Sequence, residues 1–173
     1  MAVEVHKPVL LKELLEFLAP RSGGVYVDGT LGAAGHAIAV LEASSPSGFL
    51  VGLDQDEEIL KIARANLKLF ENRVRIVKAN FSEVGTVLKE DGVENVDGIY
   101  LDLGVSSLQL DRPERGFSFR NAGPIDMRMN PEYGETAFEK INKSEEKELT
   151  EILKEYGEER LAPKIARVLL EKR

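Results

Sequence analysis

The chain has 173 residues, no cysteine, two histidines and a formal net charge of −7. That length suits one domain with a sizeable core, alone or with an appendage, and argues against two full domains. Disulfides and thiolate metal sites are excluded, and with imidazole only at His6 and His36 no metal site is expected.

Glu4 and Glu13 interrupt the N-terminal apolar residues. No stretch approaches the about 18 uncharged apolar residues of a membrane span. A soluble cytoplasmic protein without membrane contact is expected. The net charge argues against a surface that grips nucleic acid everywhere, because phosphate neutralisation needs local Lys and Arg. Residues 1 to 110 carry a net charge of −6, whereas residues 111 to 130 carry +1, with Arg112, Arg115, Arg120 and Arg128 against Asp111, Glu114 and Asp126. Any RNA contact is expected in the second half.

Residues 9 to 18 place apolar side chains at helical spacing ahead of Pro20, which predicts a short helix docked before the first strand. His6 is read as a structural residue orienting that helix. Residues 25 to 28 then form an apolar run that turns through Gly29, Gly32 and Gly35 into a helix over 35 to 43. Missing Cβ atoms let such a turn tighten and approach a ligand, although a plain strand-to-helix turn would read the same way. The spacing Gly29-x-x-Gly32-x-x-Gly35 lacks the G-x-G pair of a dinucleotide site, which disfavours a nicotinamide dehydrogenase. Asp28 at the strand end would repel a pyrophosphate and welcome a cation. S-adenosylmethionine, with a sulfonium, an ammonium and a ribose but no phosphate, fits both features.

The second strand is predicted over 48 to 53 and is followed by Asp54, 22 residues after Gly32. That offset is close to the roughly 20 residues at which a ribose-binding acid is expected. The alternative is that Asp54 caps the helix predicted over 56 to 70, a role aspartate fills well. A third strand over 73 to 79 leads to Phe81, which could stack on an adenine or fill the core, and to a helix over 82 to 90. The fourth strand, 96 to 103, carries Asp102. A carboxylate there could orient an acceptor amine and take its N–H bonds, or could bind loop amides.

Strand alternating with helix implies a Rossmann-like, doubly wound parallel α/β sheet. Right-handed crossovers give the order 3-2-1-4, with the ligand at the switch point between strands 1 and 4, outside the carboxyl ends. Beyond Leu110 a loop rich in Pro, Gly and Arg (111 to 134) precedes helical stretches near 135 to 142, 144 to 156 and 158 to 172. Leu149, Ile152, Leu153 and Tyr156 form one apolar stripe and Leu161, Ile165, Val168 and Leu169 another, both suited to packing. The expected division is a cofactor-binding domain over 1 to 110 and the start of a helical substrate-recognition insertion over 111 to 173.

Several runs in order carry a resemblance: His6-x-Pro8-Val9, Asp28-Gly29-Thr30-Leu31-Gly32-x-x-Gly35-His36, Leu101-Asp102-Leu103-Gly104-Val105-Ser106-Ser107-x-Gln109-Leu110, Glu114-Arg115-Gly116-Phe117-Ser118-Phe119, Gly123-Pro124-x-Asp126-Met127-Arg128-Met129 and Tyr156-Gly157-Glu158-Glu159. Together they closely resemble the ribosomal small-subunit RNA cytosine-N4-methyltransferases, over nearly the whole chain. The resemblance implies S-adenosylmethionine as cofactor and methylation of N4 of a P-site cytidine in 16S rRNA. By position it implies Ala34, Gly35 and His36 around the methionine end, Asp54 at the ribose, Phe81 at the adenine, and Asp102 and Gln109 near methyl transfer, with Asp102 catalytic; Asp28 and Gly32 join the cofactor-binding set from the strand end and the glycine turn. Arg115, Arg120 and Arg128 would touch RNA or simply pair with Glu114 and Asp126. Ala34 departs from the family's glycine, which implies a less close backbone approach there. The family is considerably longer and returns to the sheet after the insertion. The expectation is therefore a partial domain with an exposed strand-4 edge, self-associating through it, binding cofactor weakly and turning over poorly. The alternative is a non-catalytic module that binds cofactor, RNA or a protein partner.

Overall fold

The computed structural model describes residues 8–173, so His6 lies outside the described residues. The chain divides into two compact units, Met1–Leu108 and Gln109–Arg173.

In the first unit Val25–Asp28 (β1), Phe49–Asp54 (β2), Val74–Lys78 (β3) and Gly98–Tyr100 (β4) pair in parallel in the order β3-β2-β1-β4, as the right-handed crossovers predict. The register sets Asp28 beside Gly52 on one side and Tyr100 on the other. Alternate strand residues supply two cores. Tyr26 and Leu50 face a layer built by Ala37, Val40 and Leu41 of Gly35–Ala43 (α2), Leu60 and Ala63 of Glu57–Asn66 (α3), and the inner face of Leu11–Leu18 (α1). Val27, Val51 and Leu53 face the opposite layer, where Val87 of Val84–Glu90 (α4) packs. Helices on both faces satisfy near-continuous apolar strands, so β1 and β2 are buried through most of their length.

Two predicted element ends in this unit shift for local reasons. The single helix expected over 56 to 70 stops at Asn66 and gives way to a 3₁₀ segment, Lys68–Arg73. Asn66 turns its amide to the Ala33 carbonyl at 2.9 Å, stitching the helix end to the glycine turn. The fourth strand ends at Tyr100 rather than 103, because β1, its one hydrogen-bonded neighbour, ends at Asp28, opposite Tyr100. Ile99 pairs with Val27 and so shares the thinly covered α4 face, where it is 51% exposed; Leu101, Leu103 and Val105 beyond it are exposed too.

The division falls within the unforeseen helix Ser107–Asp111 (α5), and the second unit continues through a loop to Ala137–Lys143 (α6), Glu146–Glu155 (α7) and Ala162–Lys172 (α8). A Thr136–Glu139 capping box starts α6. Leu149 of α7 and Ala162 and Ala166 of α8 are buried, and Arg173 closes the unit by donating to the carbonyls of Ile141, Asn142 and Ser144. The last helix begins at Ala162 rather than 158, because Glu158 takes a left-handed φ of 49° and Pro163 follows in the first turn. Tyr156, expected on the packing stripe, falls past the end of α7 and is exposed. Among the described residues no helix is long and apolar enough to cross a membrane.

Candidate cofactor and active site

The site begins where β1 runs out of strand. Amides of the turn reach both neighbours of β1: Gly29 donates to the Tyr100 carbonyl of β4, while Leu31 donates to the Leu53 carbonyl and Gly32 to Asp54 Oδ2 at 2.9 Å, both of β2. The turn therefore arches over the strand ends at the switch point. Gly32 sits at φ +53°, and a Cβ there would meet nothing closer than the Thr30 carbonyl at 3.7 Å. Ala34 takes the same left-handed conformation, φ 71°, as N-cap of α2, so the backbone keeps a shape that glycine favours even though this chain has alanine.

Asp54 accepts from two main-chain amides, Gly32 through Oδ2 and Asp56 through Oδ1 at 3.0 Å. It is not the helix cap; Asp56 is, with its carboxylate accepting from Glu58. Each Asp54 oxygen keeps a further lone pair for a hydroxyl donor. Burial raises its pKa, and the amides of Asp56 and Gly32 oppose that rise.

Asp28 is buried, and its pKa is pushed up to about 6, chiefly by loss of water, with the Thr30 amide at 3.0 Å and the neighbouring Tyr100 pulling it down. The Tyr100 hydroxyl is buried beside Asp28 but makes no hydrogen bond of acceptable geometry, and burial with that carboxylate holds its pKa far above the ordinary tyrosine value. His36, at the start of α2, meets the Tyr100 ring edge-on at 6.2 Å between centroids. Its Nε2 lies 2.8 Å from the Val9 carbonyl, which can only accept, so Nε2 carries the proton. Nδ1 is then directed to Asp102, 3.8 Å from Oδ2. The bond to Val9 spans 27 residues, not the local turn contact that a helix-start histidine would make.

Asp102 lies past the end of β4, its amide donating to Thr30 Oγ1 at 2.7 Å while its carboxylate is 58% exposed. Phe81, first residue of a 3₁₀ turn after β3, is 40% exposed rather than a core residue, and its Cβ lies 3.1 Å from where a Gly29 Cβ would stand. Asp28, Gly32, Ala34, Gly35, His36, Asp54, Phe81 and Asp102 thus ring one turn at the carboxyl ends of parallel strands. Thr30 and Tyr100, which tie Asp102 and Asp28 into it, were not singled out from the sequence. Tyr100 carries a signal in hindsight, since it precedes Asp102 by two and therefore ends its strand level with Asp28.

The donor set discriminates among ligands. Residues 28 to 36, 52 to 56 and 100 to 104 contain acids, amides and hydroxyls but no Lys or Arg. Such a pocket suits a cation with ribose hydroxyls and is poor for a phosphate.

Gln109 and the three arginines belong to the second unit. Gln109 is buried. Arg115 is buried as well, its Nη2 donating to the carbonyls of Arg128 and Met129 at 2.9 and 3.1 Å. Arg128 grips Asp126 through Nε and Nη2 at 2.9 and 2.7 Å and thereby holds the Asp126 carboxyl below its ordinary range. Arg120 is exposed.

The model of the MraW methylase family matches residues 3–173. The chain belongs to that family. A "Ribosomal RNA small subunit methyltransferase H" of Geobacter sulfurreducens is 56% identical over 168 residues, 97% of this chain and 54% of the relative. Proteins of the same name from Citrifermentans bemidjiense and Heliobacterium mobile are 52% and 48% identical, each with 97% of this chain and 54% of the relative covered. The chain thus spans about half the length of the curated relatives it matches.

Proposed function

We propose that the first unit, with the division near residue 110 read from the sequence, is the S-adenosylmethionine domain of a methyltransferase acting on N4 of a P-site cytidine in 16S rRNA. The small ribosomal subunit in the cytoplasm is its partner. The observation that carries this reading is the convergence of Asp28, Asp54 and Asp102 with His36 on one glycine turn, whose own segments 28 to 36, 52 to 56 and 100 to 104 hold no Lys or Arg. Family membership supports the chemistry.

S-adenosylmethionine, when bound, supplies a methyl group on a sulfonium already activated for transfer. Asp54 accepts from the ribose hydroxyls while the Gly32 and Asp56 amides keep its carboxylate in place. The half-exposed Phe81 ring offers a stacking face for the adenine. The turn through Gly32, Ala34, Gly35 and His36 brings main chain to the methionine end. Asp102, anchored by Thr30 at its own amide and open to solvent at its carboxylate, accepts the N–H of the cytosine amine and takes the proton it releases. His36 Nδ1 stands 3.8 Å from that carboxylate and lines the same side of the site. Arg120 contacts the RNA, and Arg115 and Arg128 shape the loop that presents it.

Titration calorimetry with S-adenosylmethionine tests the cofactor half. Charge-assisted hydrogen bonds contribute about 1.5 to 3 kcal/mol each. Asp54→Asn should therefore weaken binding about ten- to hundredfold; equal affinities would remove Asp54 from the site. Transfer of labelled methyl to 30S subunits tests the rest. A non-catalytic module that binds cofactor, RNA or a protein partner is the second reading. Cofactor binding with zero incorporation would select it.

A further inference from the structure

The loop of the second unit encloses a trough of about 350 Å³ between its Pro113–Gly116 and Phe117–Ile125 segments. That size is at the lower end of the about 300 to 1,000 Å³ typical of ligand clefts. Two glycines let the segments approach. Gly116 takes φ +71°, where a Cβ would stand 2.6 Å from the Asp126 amide and the Pro124 carbonyl, and a Cβ on Gly123 would overlap the Pro113 carbonyl. Behind the trough, the Arg115 bonds to the 128 and 129 carbonyls and the Arg128–Asp126 ion pair hold the loop in shape.

The trough's chemistry is uneven in an informative way. Phe117, Pro113 and Pro124 give it apolar walls, Ser118 and Asn121 give polar edges, and Phe119 is fully exposed. An aromatic ring left entirely in water on a braced loop is a free stacking face. The next residue, Arg120, is exposed and takes no carboxylate among the described residues, whereas Arg112 and Arg128 of the same loop pair with Glu114 and Asp126. An exposed aromatic face on the trough, followed in the chain by an exposed guanidinium without a carboxylate among the described residues, matches a nucleotide, with its base on the ring and its phosphate on the cation. A protein partner would not need the charge to stand alone.

We propose that the 113–125 trough is a nucleotide subsite for single-stranded RNA, in which Phe119 stacks an unpaired base and Arg120 holds the adjoining phosphate. This rests on the reading above that the chain acts on RNA, and it separates Arg120, a substrate contact, from Arg115 and Arg128, which brace the loop.

The test is fluorescence anisotropy of a short, labelled, cytidine-containing single-stranded RNA on the 173-residue chain, with S-adenosylmethionine calorimetry on the same samples. Stacking on an exposed aromatic predicts that Phe119→Ala weakens RNA binding about tenfold or more, while Phe119→Trp retains it. Arg120→Gln should lower the slope of log K against log salt by about 0.7, the single-strand value for one phosphate. Neither change should move cofactor affinity, and because both side chains are exposed both variants should fold. Parent-like RNA binding by Phe119→Ala, or an unchanged salt slope for Arg120→Gln, overturns the subsite and leaves the methyltransferase reading standing. Loss of self-association by light scattering with RNA binding intact assigns the trough to a protein contact and also overturns it. A parent chain that binds cofactor but no RNA overturns the subsite, and one that binds neither overturns the proposed function as well.

Discussion

Replacing Asp28 by asparagine should make this chain more stable and a worse cofactor binder at once. Asp28 is 1% exposed, and burial lifts its pKa from the ordinary 3.8 to about 6. The folded chain therefore holds a proton between those values that the unfolded chain has released, so stability falls as pH rises through that window and stays lowered above it. The gap corresponds to about 3 kcal/mol, an upper bound on what ionising this carboxyl costs the fold at neutral pH. Asparagine keeps the oxygen that accepts from Thr30 at 3.0 Å, and its new N–H can donate to the Tyr100 hydroxyl, which lacks a partner. Urea unfolding across a pH series reads the result. Asp28→Asn should exceed the parent by up to about 3 kcal/mol at pH 8, and the difference should shrink toward zero near pH 4, where both side chains are neutral. Calorimetry should show weaker S-adenosylmethionine binding, because a carboxylate facing a cationic ligand has gone. A variant no more stable than the parent at high pH, or a constant difference across the series, would refute the claim that Asp28 is a strained buried acid kept for binding.

Other residues give sharper local tests. Gly29→Ala would drive a methyl against Leu101 and Phe81; Leu101 is half exposed and can turn aside, so cofactor affinity should fall more than the urea midpoint. Leu50→Ala in β2, fully buried, should cost about 2 to 5 kcal/mol in the same unfolding assay. Asp126→Asn removes the charged partner of Arg128. It should speed proteolytic nicking within residues 111 to 134 while leaving cofactor affinity unchanged. Self-association through the open side of β4 predicts a concentration-dependent mass in light scattering, and a strictly monomeric profile would dismiss it.

Sheet order was legible because four apolar runs alternate with helical patterns and handedness allows few arrangements. The acids of the site were legible for a related reason: each ends or follows a predicted strand, and a parallel sheet gathers such ends. Boundaries were less so. Nothing in residues 56 to 70 signals that Asn66 will spend its amide on Ala33, a contact across 33 positions that decides where α3 stops. Strand 4 looked longer than it is because Leu101, Leu103 and Val105 keep an apolar alternation after β1 has ended and no ladder remains. The roles of the loop arginines turn on distances that spacing does not encode. Arg115 and Arg120 are equivalent in composition, yet one is buried against two carbonyls and the other faces solvent.

The His36 to Val9 bond couples two parts of the chain that sequence keeps well apart. Val9 sits one residue before the N-cap of α1, so the entry to α1 is hooked onto the first turn of α2. A ligand that repositions that turn therefore acts on the start of α1 as well. A reporter dye on the solvent face of α1 should sense occupancy of a site it never touches, and cutting the hook with His36→Ala should silence it.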